Sequence, residues 1–257
     1  MSTAVDLKDA AGALGVHYQT AYKWVRSGRL DAVRVRGRYR VDTAEVERLA
    51  LERAQPTAVP ARRPVRDPDR AAARARELLV DGRESEFRRF SAGLLDRGAS
   101  LHSVLTEVVS PALRHIGAQW HAGALDIATE HRATAIVERF LGEHMPSPRG
   151  RRRGTAVVAG PAGDLHSLPT SMAAAALRED NWRVHHLGAD IPAEEITAFC
   201  RREEPDLLVL TVTAAEARQP ALDLAAGMEA GGLPTLVGGA GRTLEDLVRD
   251  ARDAVRR

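Results

Sequence analysis

Two side chains in the stretch AVVAGPAGDLHSLPTSMAAAAL, residues 156–177, have types and a spacing that suit metal binding. His166 follows Asp164 by two positions, in a loop between a valine-rich run and an alanine-rich helical pattern. A neutral imidazole is a good transition-metal ligand, and a carboxylate bonded to its other nitrogen fixes the tautomer and strengthens the donor. A single histidine in a loop is more often structural or solvent-facing, so its interpretation depends on the surrounding elements.

A second group of polar and aromatic side chains lies in GAQWHAGALDIATEHRATA, residues 117–135. An aromatic ring, two imidazoles and a carboxylate flank a helix break there: Trp120, His121, Glu130 and His131. Asp126 is expected to cap the helix that follows the break. Taken alone, this group is better explained as a capped corner with a packed tryptophan and solvated polar residues.

The apolar pattern of residues 154–257 predicts the elements that position the first group. Strands are expected at 155–160, 182–187, 206–213 and 234–238, with helices at 168–180, 192–203 and 215–230 between them. Such alternation predicts a parallel sheet with helices on both faces, whose binding crevice lies at the carboxyl ends of the strands. The residues expected at that edge are His166, Thr211, Thr213, Gly238 and Gly239. One helix and no clear fifth strand follow Gly239.

Residues 70–145 carry helical apolar stripes with short connections, which predict a four-helix bundle. Its helices are expected at 69–80, 84–96, 101–118 and 127–144. Segments rich in proline or arginine, 54–69 and 146–153, are interpreted as linkers. The predicted domains are therefore 1–53, 70–145 and 154–257.

The first 53 residues predict a helix-turn-helix followed by a basic hairpin. Helices are expected at 6–14 and 18–26, the second packing through Ala21, Trp24 and Val25, and DTAE (42–45) resembles a capping box that opens a third helix through Leu49. Strict alternation around Arg36-Gly37 places Val33, Val35, Tyr39 and Val41 on one face. The opposite face would then carry four guanidinium groups suited to phosphate, those of Arg34, Arg36, Arg38 and Arg40. The alternative is a solvated hairpin whose arginines serve solubility.

The stretch AAGALGVHYQTAYKWVRSGRL resembles the winged helix-turn-helix of MerR-like and excisionase-like proteins, and is closer to the excisionase type. The resemblance implies binding to double-stranded DNA. By position, the candidates for groove contacts are Gln19, Thr20, Tyr22, Lys23 and Arg26. Modules of this size usually dimerise to gain affinity.

DLHSLP resembles the Asp-x-His-x-x-Gly motif of cobalamin-binding domains, TVT (211–213) stands where that family has Ser-x-Leu or Ser-x-Thr, and GG (238–239) matches its paired glycines. The resemblance implies a flavodoxin-like Rossmann domain in which His166 is the lower axial cobalt ligand and Asp164 supports it. The other implied cofactor contacts are Ser167, Thr211, Thr213, Gly238 and Gly239. Pro169 in place of glycine, Thr211 in place of serine and the absent fifth strand depart from the family pattern.

The spacing Trp-x₉-Glu-His resembles the helical cap of CarH-type photoreceptors, whose order of helix-turn-helix, bundle and cobalamin domain is also found here. It implies that Trp120 and Glu130 contact the adenosyl group of adenosylcobalamin and that His131 lines the same site. His121 matches the imidazole that takes the upper face of cobalt once light has removed adenosyl.

The chain of 257 residues has a net charge of +2 and one cysteine, so an intramolecular disulfide is excluded, and we expect a cytoplasmic protein with no signal peptide or membrane span. The resemblance implies a light-responsive repressor without enzymatic activity. Its expected partners are an operator, cobalamin and further copies of itself, a tetramer in the dark. Three alternatives stay open: a light-independent cobalamin-sensing regulator, a corrinoid protein of a methyltransferase system, and a DNA-binding protein that has lost its cofactor.

Overall fold

The computed structural model describes residues 4–35, 37–54, 63–239 and 241–255, and the chain divides into two compact units, Met1–Thr57 and Ala58–Arg257. The elements of the first unit are β1 (Ala4–Asp6), α1 (Leu7–Ala13), α2 (Tyr18–Arg26), β2 (Ala32–Val35), β3 (Arg38–Asp42) and α3 (Thr43–Ala54). The predicted helices and hairpin are confirmed. Strand β1, which pairs with β3, was not predicted, and α3 continues five residues beyond the expected Leu49.

Local signals explain where these helices begin. The Asp6 carboxylate accepts from the backbone N–H groups of Lys8 and Asp9 at 2.8 and 3.0 Å, which satisfies two donors at the start of α1. Gly15 adopts a positive φ of 61° in the turn before α2. Ala21 is fully buried, and Trp24 and Val25 pack against the same core, as expected.

The predicted division of the hairpin into an apolar and a basic face is wrong. Only two residues separate Val35 from Arg38, so Val35 pairs with Arg38 and Val33 pairs with Arg40. Directly paired residues of antiparallel strands project to the same side of the sheet. The valines of β2 therefore share a side with the arginines of β3, and not with Tyr39 and Val41. Val33 and Val35 are 69% and 49% exposed beside Arg38 and Arg40, while Arg34 lies with Tyr39 on the other face. Arg36 lies outside the described residues.

The second unit begins with a helical bundle. Its elements are α4 (Pro68–Val80), α5 (Glu84–Asp96), α6 (Leu101–Ser103), a π-helical segment (Val104–Val109), α7 (Ser110–His121) and α8 (Ile127–His144). The third predicted helix corresponds to the consecutive run from α6 to α7. That run ends at His121 rather than at residue 118, so Trp120 and His121 occupy its last turn.

A four-stranded parallel sheet follows the bundle. Its elements are β4 (Thr155–Pro161), α9 (Ser167–Glu179), β5 (Arg183–Ile191), α10 (Ala193–Glu203), β6 (Leu207–Leu210), α11 (Arg218–Ala230), β7 (Thr235–Val237) and α12 (Leu244–Ala254). The strand order is β5-β4-β6-β7. Helices α9 and α12 pack on one face and α10 and α11 on the other, which confirms the predicted architecture.

Two details of the sheet differ from the expectation or refine it. Strand β6 ends at Leu210, so Thr211 and Thr213 lie in the loop just beyond it. In the described part of the chain β7 is an edge strand, and a cleft of about 550 Å³ runs beside it, lined in part by Leu222, Val237 and Gly239.

Helix α9 joins the bundle to the sheet. One of its sides enters the sheet core through Ala173, Ala174 and Leu177, and the other enters the bundle core through Leu168, Met172 and Ala175. The bundle is thereby packed on the helix that starts directly after His166. Within the described ranges, no helix has the length and apolar character needed to span a membrane.

Candidate functional sites

The loop after β4 holds His166 by a buried carboxylate. Asp164 is 1% exposed, and its Oδ1 lies 2.7 Å from the His166 Nδ1 and accepts from the His166 backbone N–H at 3.1 Å. A carboxylate only accepts, so Nδ1 of the neutral ring carries the proton and Nε2 keeps its lone pair. The His166 side chain is 55% exposed. The arrangement suits a single bond from Nε2 to a metal that other ligands already hold.

Backbone donors from the loop after β6 fix Asp164 in turn. Its Oδ2 accepts from the N–H groups of Thr213 and of Ala214, the latter at 3.0 Å. Burial of the Asp164 carboxyl favours its neutral form, but these two N–H groups and the His166 ring together outweigh burial and lower its pKa below the ordinary value. The carboxylate is therefore charged and oriented at neutral pH.

Asp190 completes the loop, and no motif in the sequence indicates this role. Its Oδ1 accepts from the Gly163 N–H at 2.9 Å, and its own N–H donates to the Asp164 carbonyl at 3.1 Å. Asp190 has a positive φ of 57°, which aspartate tolerates better than most residues. The only signal was its position three residues beyond the strand expected at 182–187, and the observed strand β5 continues to Ile191.

Thr211 and the paired glycines lie beyond the next two strands. Thr211 is 7% exposed, and its Oγ1 has no hydrogen-bond partner among the described residues. A Cβ on Gly239 would stand 1.8 Å from the Val212 carbonyl oxygen, so glycine is required there by the close approach of these two loops. An unpaired buried hydroxyl is costly and suits a ligand that brings its own polar atom.

Helix α9 accommodates the departure at Pro169. Pro169 is the third residue of α9, a position whose N–H has no intrahelical acceptor, so the missing donor costs the helix nothing. The hydroxyl of the neighbouring Ser167 already has a hydrogen-bond partner, because it donates to the Glu138 carboxylate of α8. The cofactor contact expected of Ser167 stays a prediction.

At the end of α7 two aromatic rings lie in contact. The ring centroids of Trp120 and His121 are 4.5 Å apart in an edge-on arrangement, and Trp120 is 36% exposed. His121 Nδ1 lies 2.9 Å from the Gly117 carbonyl oxygen, which fixes the proton on Nδ1 and leaves Nε2 with its lone pair. His121 thus presents the same nitrogen as His166 does.

The first turn of α8 orders the remaining residues of this corner. Asp126 caps the helix, as expected, by accepting from the Thr129 N–H at 2.8 Å. The Glu130 Oε2 lies 2.6 Å from His131 Nδ1, and its Oε1 accepts from the Thr134 hydroxyl at 3.1 Å. Glu130 is held in one orientation by both neighbours, whereas the His131 side chain is 71% exposed.

The first unit presents a basic surface around α2 and the hairpin of β2 and β3, hereafter the wing. A cleft of about 490 Å³ lies between them, lined in part by Tyr22, Arg26, Arg34, Arg38 and Tyr39. Tyr22 and Tyr39 contact edge to face at 5.9 Å. Thr20 of α2 is half-buried. The other candidate groove residues of α2 are exposed: Gln19, Tyr22, Lys23 and Arg26. In the strand register Arg40 lies on the same side of the wing as Arg38, which also borders this cleft.

Three protein families match successive parts of the chain. Residues 5–54 match the family described as a helix-turn-helix domain. Residues 71–143 and 154–256 match two families that are both described as a B12 binding domain. The three matches follow the order of the winged helix-turn-helix, the bundle and the sheet.

Curated relatives include two repressors and a corrinoid protein. The chain is 34% identical over 111 residues to the HTH-type transcriptional repressor CarA of Myxococcus xanthus, which is 42% of this chain and 36% of that protein. It is 30% identical over 138 residues to the repressor CarH of the same organism, covering 52% and 46%. A methanol–corrinoid protein of Methanosarcina barkeri is 38% identical over 61 residues, 24% of each chain. The matched parts span less than half of each relative.

Among solved structures, the monomethylamine corrinoid protein of Methanosarcina barkeri superimposes with a TM-score of 0.61 at 15% identity, covering 72% of this chain and 98% of that one. This likeness shows that the fold of a bundle followed by a parallel sheet occurs in a corrinoid protein.

Proposed function

We propose that this chain, which has the helix-turn-helix and B12-binding domains of the CarA- and CarH-like regulators, is a light-responsive transcriptional repressor that binds adenosylcobalamin. The observation that carries the proposal is the Asp164–His166 pair: a buried, ionised carboxylate holds a half-exposed imidazole with Nε2 open. The relatives that are repressors support a regulator rather than an enzyme.

On the lower face, His166 would hold the cobalt and Asp164 would keep the His166 ring in the required tautomer. The Thr211 hydroxyl, which has no partner among the described residues, would form a hydrogen bond with a polar atom of the displaced nucleotide tail. The loops that hold both residues meet through the Asp164 bonds to Thr213 and Ala214, so ligand and tail contact share one framework.

On the upper face, Trp120 and Glu130 are the proposed contacts of the adenosyl group, with His131 beside them. Bound adenosylcobalamin would supply a weak cobalt–carbon bond that visible light cleaves. His121, whose Nε2 is unprotonated in the neutral ring, is the group that would occupy the upper face afterwards. A histidine exchange of this kind is a local event able to bias a two-state assembly.

The DNA partner is proposed from the surface of the first unit. Exposed side chains of α2 would read base edges, while Arg34, Arg38 and Arg40 would bind phosphates on two sides of the wing. A single module of this size binds weakly, so a dark-state homotetramer would place several modules on one operator and gain affinity by avidity. We place the repressor in the cytoplasm, where that operator lies.

The experiment is an absorption spectrum of the full chain loaded with adenosylcobalamin in the dark, recorded before and after illumination. The parent should bind the cofactor, lose adenosyl under light and give the spectrum of a cobalamin with histidine on both faces. His166→Ala should lose most of its affinity while its far-ultraviolet circular dichroism stays unchanged. If the alanine variant retains the cofactor with the spectrum of the parent, His166 is not the ligand.

A second candidate is a corrinoid protein of a methyltransferase system, favoured by the match to the methanol–corrinoid protein. It would share the lower-face residues and would not require the upper-face group. Tight binding of adenosylcobalamin that is unaffected by Trp120→Ala would favour this candidate. Binding that depends on Trp120 but gives no response to light would favour a cobalamin-sensing regulator.

A further inference from the structure

Helix α9 is anchored to the bundle by polar contacts at both of its ends. At its amino end, the Ser167 hydroxyl donates to the half-buried Glu138 carboxylate of α8. Ser167 directly follows His166, so this contact reaches the bundle from the residue next to the proposed cobalt ligand. Neither the Asp-x-His-x-x-Gly motif nor the Trp-x₉-Glu-His motif includes Glu138.

At its carboxyl end, α9 holds the start of α6. The Glu179 carboxylate accepts from the backbone N–H groups of Leu101 and His102 at 2.8 and 2.7 Å. A negative charge is favourable at a helix amino terminus, where N–H groups lack intrahelical acceptors. The helical run that begins at α6 ends at Trp120 and His121, so Glu179 anchors the start of the run that carries the upper-face residues.

The apolar side of α9 makes these anchors consequential. Leu168 and Met172 are buried in the bundle core, and both lie within two turns of His166. The start of α9 therefore cannot shift against α8 without disturbing packed side chains. Because α8 also carries Glu130 and His131, the lower-face loop and part of the upper-face group are attached to one helix of the bundle.

We propose that Glu138 is a positioning residue for His166. Through Ser167 it fixes where α9 starts, and thereby the position from which the His166 ring reaches the metal. Glu179 keeps the far end of α9 in register with the bundle. The inference rests on the proposed binding of cobalamin at His166, and it adds that the bundle itself sets the strength of the lower-face bond.

The test uses the full chain and hydroxocobalamin, with the dissociation constant and the absorption band of histidine-coordinated cobalamin as readouts. Glu138→Ala and Ser167→Ala should each weaken binding by about 10- to 100-fold, the range for residues that orient a metal ligand. The double variant should be no worse than either single variant, because both remove one contact. Glu138→Gln keeps an acceptor for the Ser167 hydroxyl and should bind almost as the parent does.

Two controls separate positioning from general stability. Glu143 lies on the same helix as Glu138, but its carboxylate pairs with Arg88 and not with α9. Glu143→Ala should therefore leave the absorption band unchanged. In a His166→Ala background, Glu138→Ala should have no further effect on binding. An equal loss in both backgrounds, or no loss in the parent background, would overturn the proposal.

Hydrogen exchange of the apoprotein judges the contact independently of the cofactor. Glu138→Ala should accelerate exchange at the Thr170 and Ser171 amides, in the first turns of α9, and leave Ala176 unchanged. A parent that binds no cobalamin would refute the proposed function. Unchanged exchange at Thr170 and Ser171 would refute the anchoring role of Glu138 whether or not the parent binds cobalamin.

Discussion

Replacing Thr211 with valine should change apoprotein stability and cofactor affinity in opposite directions. The Thr211 hydroxyl is buried without a partner in the part of the chain that the structure describes, so the folded apoprotein bears the cost of removing it from water. A buried unsatisfied group costs about 1–3 kcal/mol, and valine fills the same shape with a methyl group. We expect Thr211→Val to raise the free energy of unfolding of the apoprotein by about 1 kcal/mol.

With cobalamin bound, the same change should be harmful. If the hydroxyl serves a polar atom of the buried tail, valine leaves that atom unpaired. The loss of about 1–3 kcal/mol corresponds to roughly a 5- to 150-fold increase in the dissociation constant. Thr211→Val is therefore predicted to be the more stable apoprotein and the weaker binder.

Thr235 in β7 provides the matched control. It is 6% exposed, but its hydroxyl donates to the Leu233 carbonyl oxygen at 3.1 Å. Thr235→Val should therefore destabilise the apoprotein by about 1 kcal/mol and leave cobalamin affinity unchanged. Urea unfolding and hydrogen exchange of the β6 amides measure the stability of the apoprotein. Cobalamin titration measures the dissociation constant. A Thr211→Val protein that is less stable as apoprotein, or that binds as the parent does, would refute the reasoning.

The pKa of Asp164 is lowered in the folded state, so its ionised form stabilises the fold above about pH 4. This stabilisation is lost as the pH falls through the folded-state pKa. The difference in free energy of unfolding between the parent and Asp164→Asn, measured by urea unfolding, should therefore shrink on acidification. Arg38→Ala with Arg40→Ala should reduce the slope of log affinity for DNA against log salt by about 2, whereas Gln19→Ala or Lys23→Ala should alter preference among sequences in competition assays; an unchanged slope would remove this side of the wing from the phosphate interface. His121→Ala should still lose adenosyl under light but lack the spectrum with two histidines, and a normal lit spectrum would show that another ligand takes the upper face.

The sequence predicted the architecture well because its periodic patterns are local. The Asp164–His166 spacing, the Asp126 cap and the buried strands each depend on residues close together in the chain. Errors arose where the outcome depended on geometry between elements. Val33 and Val35 pair with arginines of β3 because of the register between the two strands. The alternation within a single strand does not reveal that register.

The supporting residues of the site could not be predicted for a related reason. Asp190 reaches the Asp164 loop from 26 residues away, and Glu138 reaches Ser167 from 29 residues away. A carboxylate on a helix or at a strand end is ordinary in sequence, and its role depends on which loop the fold brings to it. The unpaired hydroxyl of Thr211 was similarly recognisable as unpaired only once its neighbours were placed.

We propose that light changes assembly and DNA binding through the cobalamin bound at His166. The most direct measurement is size-exclusion chromatography with a gel-shift assay on the adenosylcobalamin form, in the dark and after illumination. We predict a higher oligomer that binds operator DNA in the dark, and a smaller species that releases it in the light. Assembly and DNA affinity that are both the same in dark and light would contradict the photoreceptor account, and a cobalamin-sensing regulator would then be the better description.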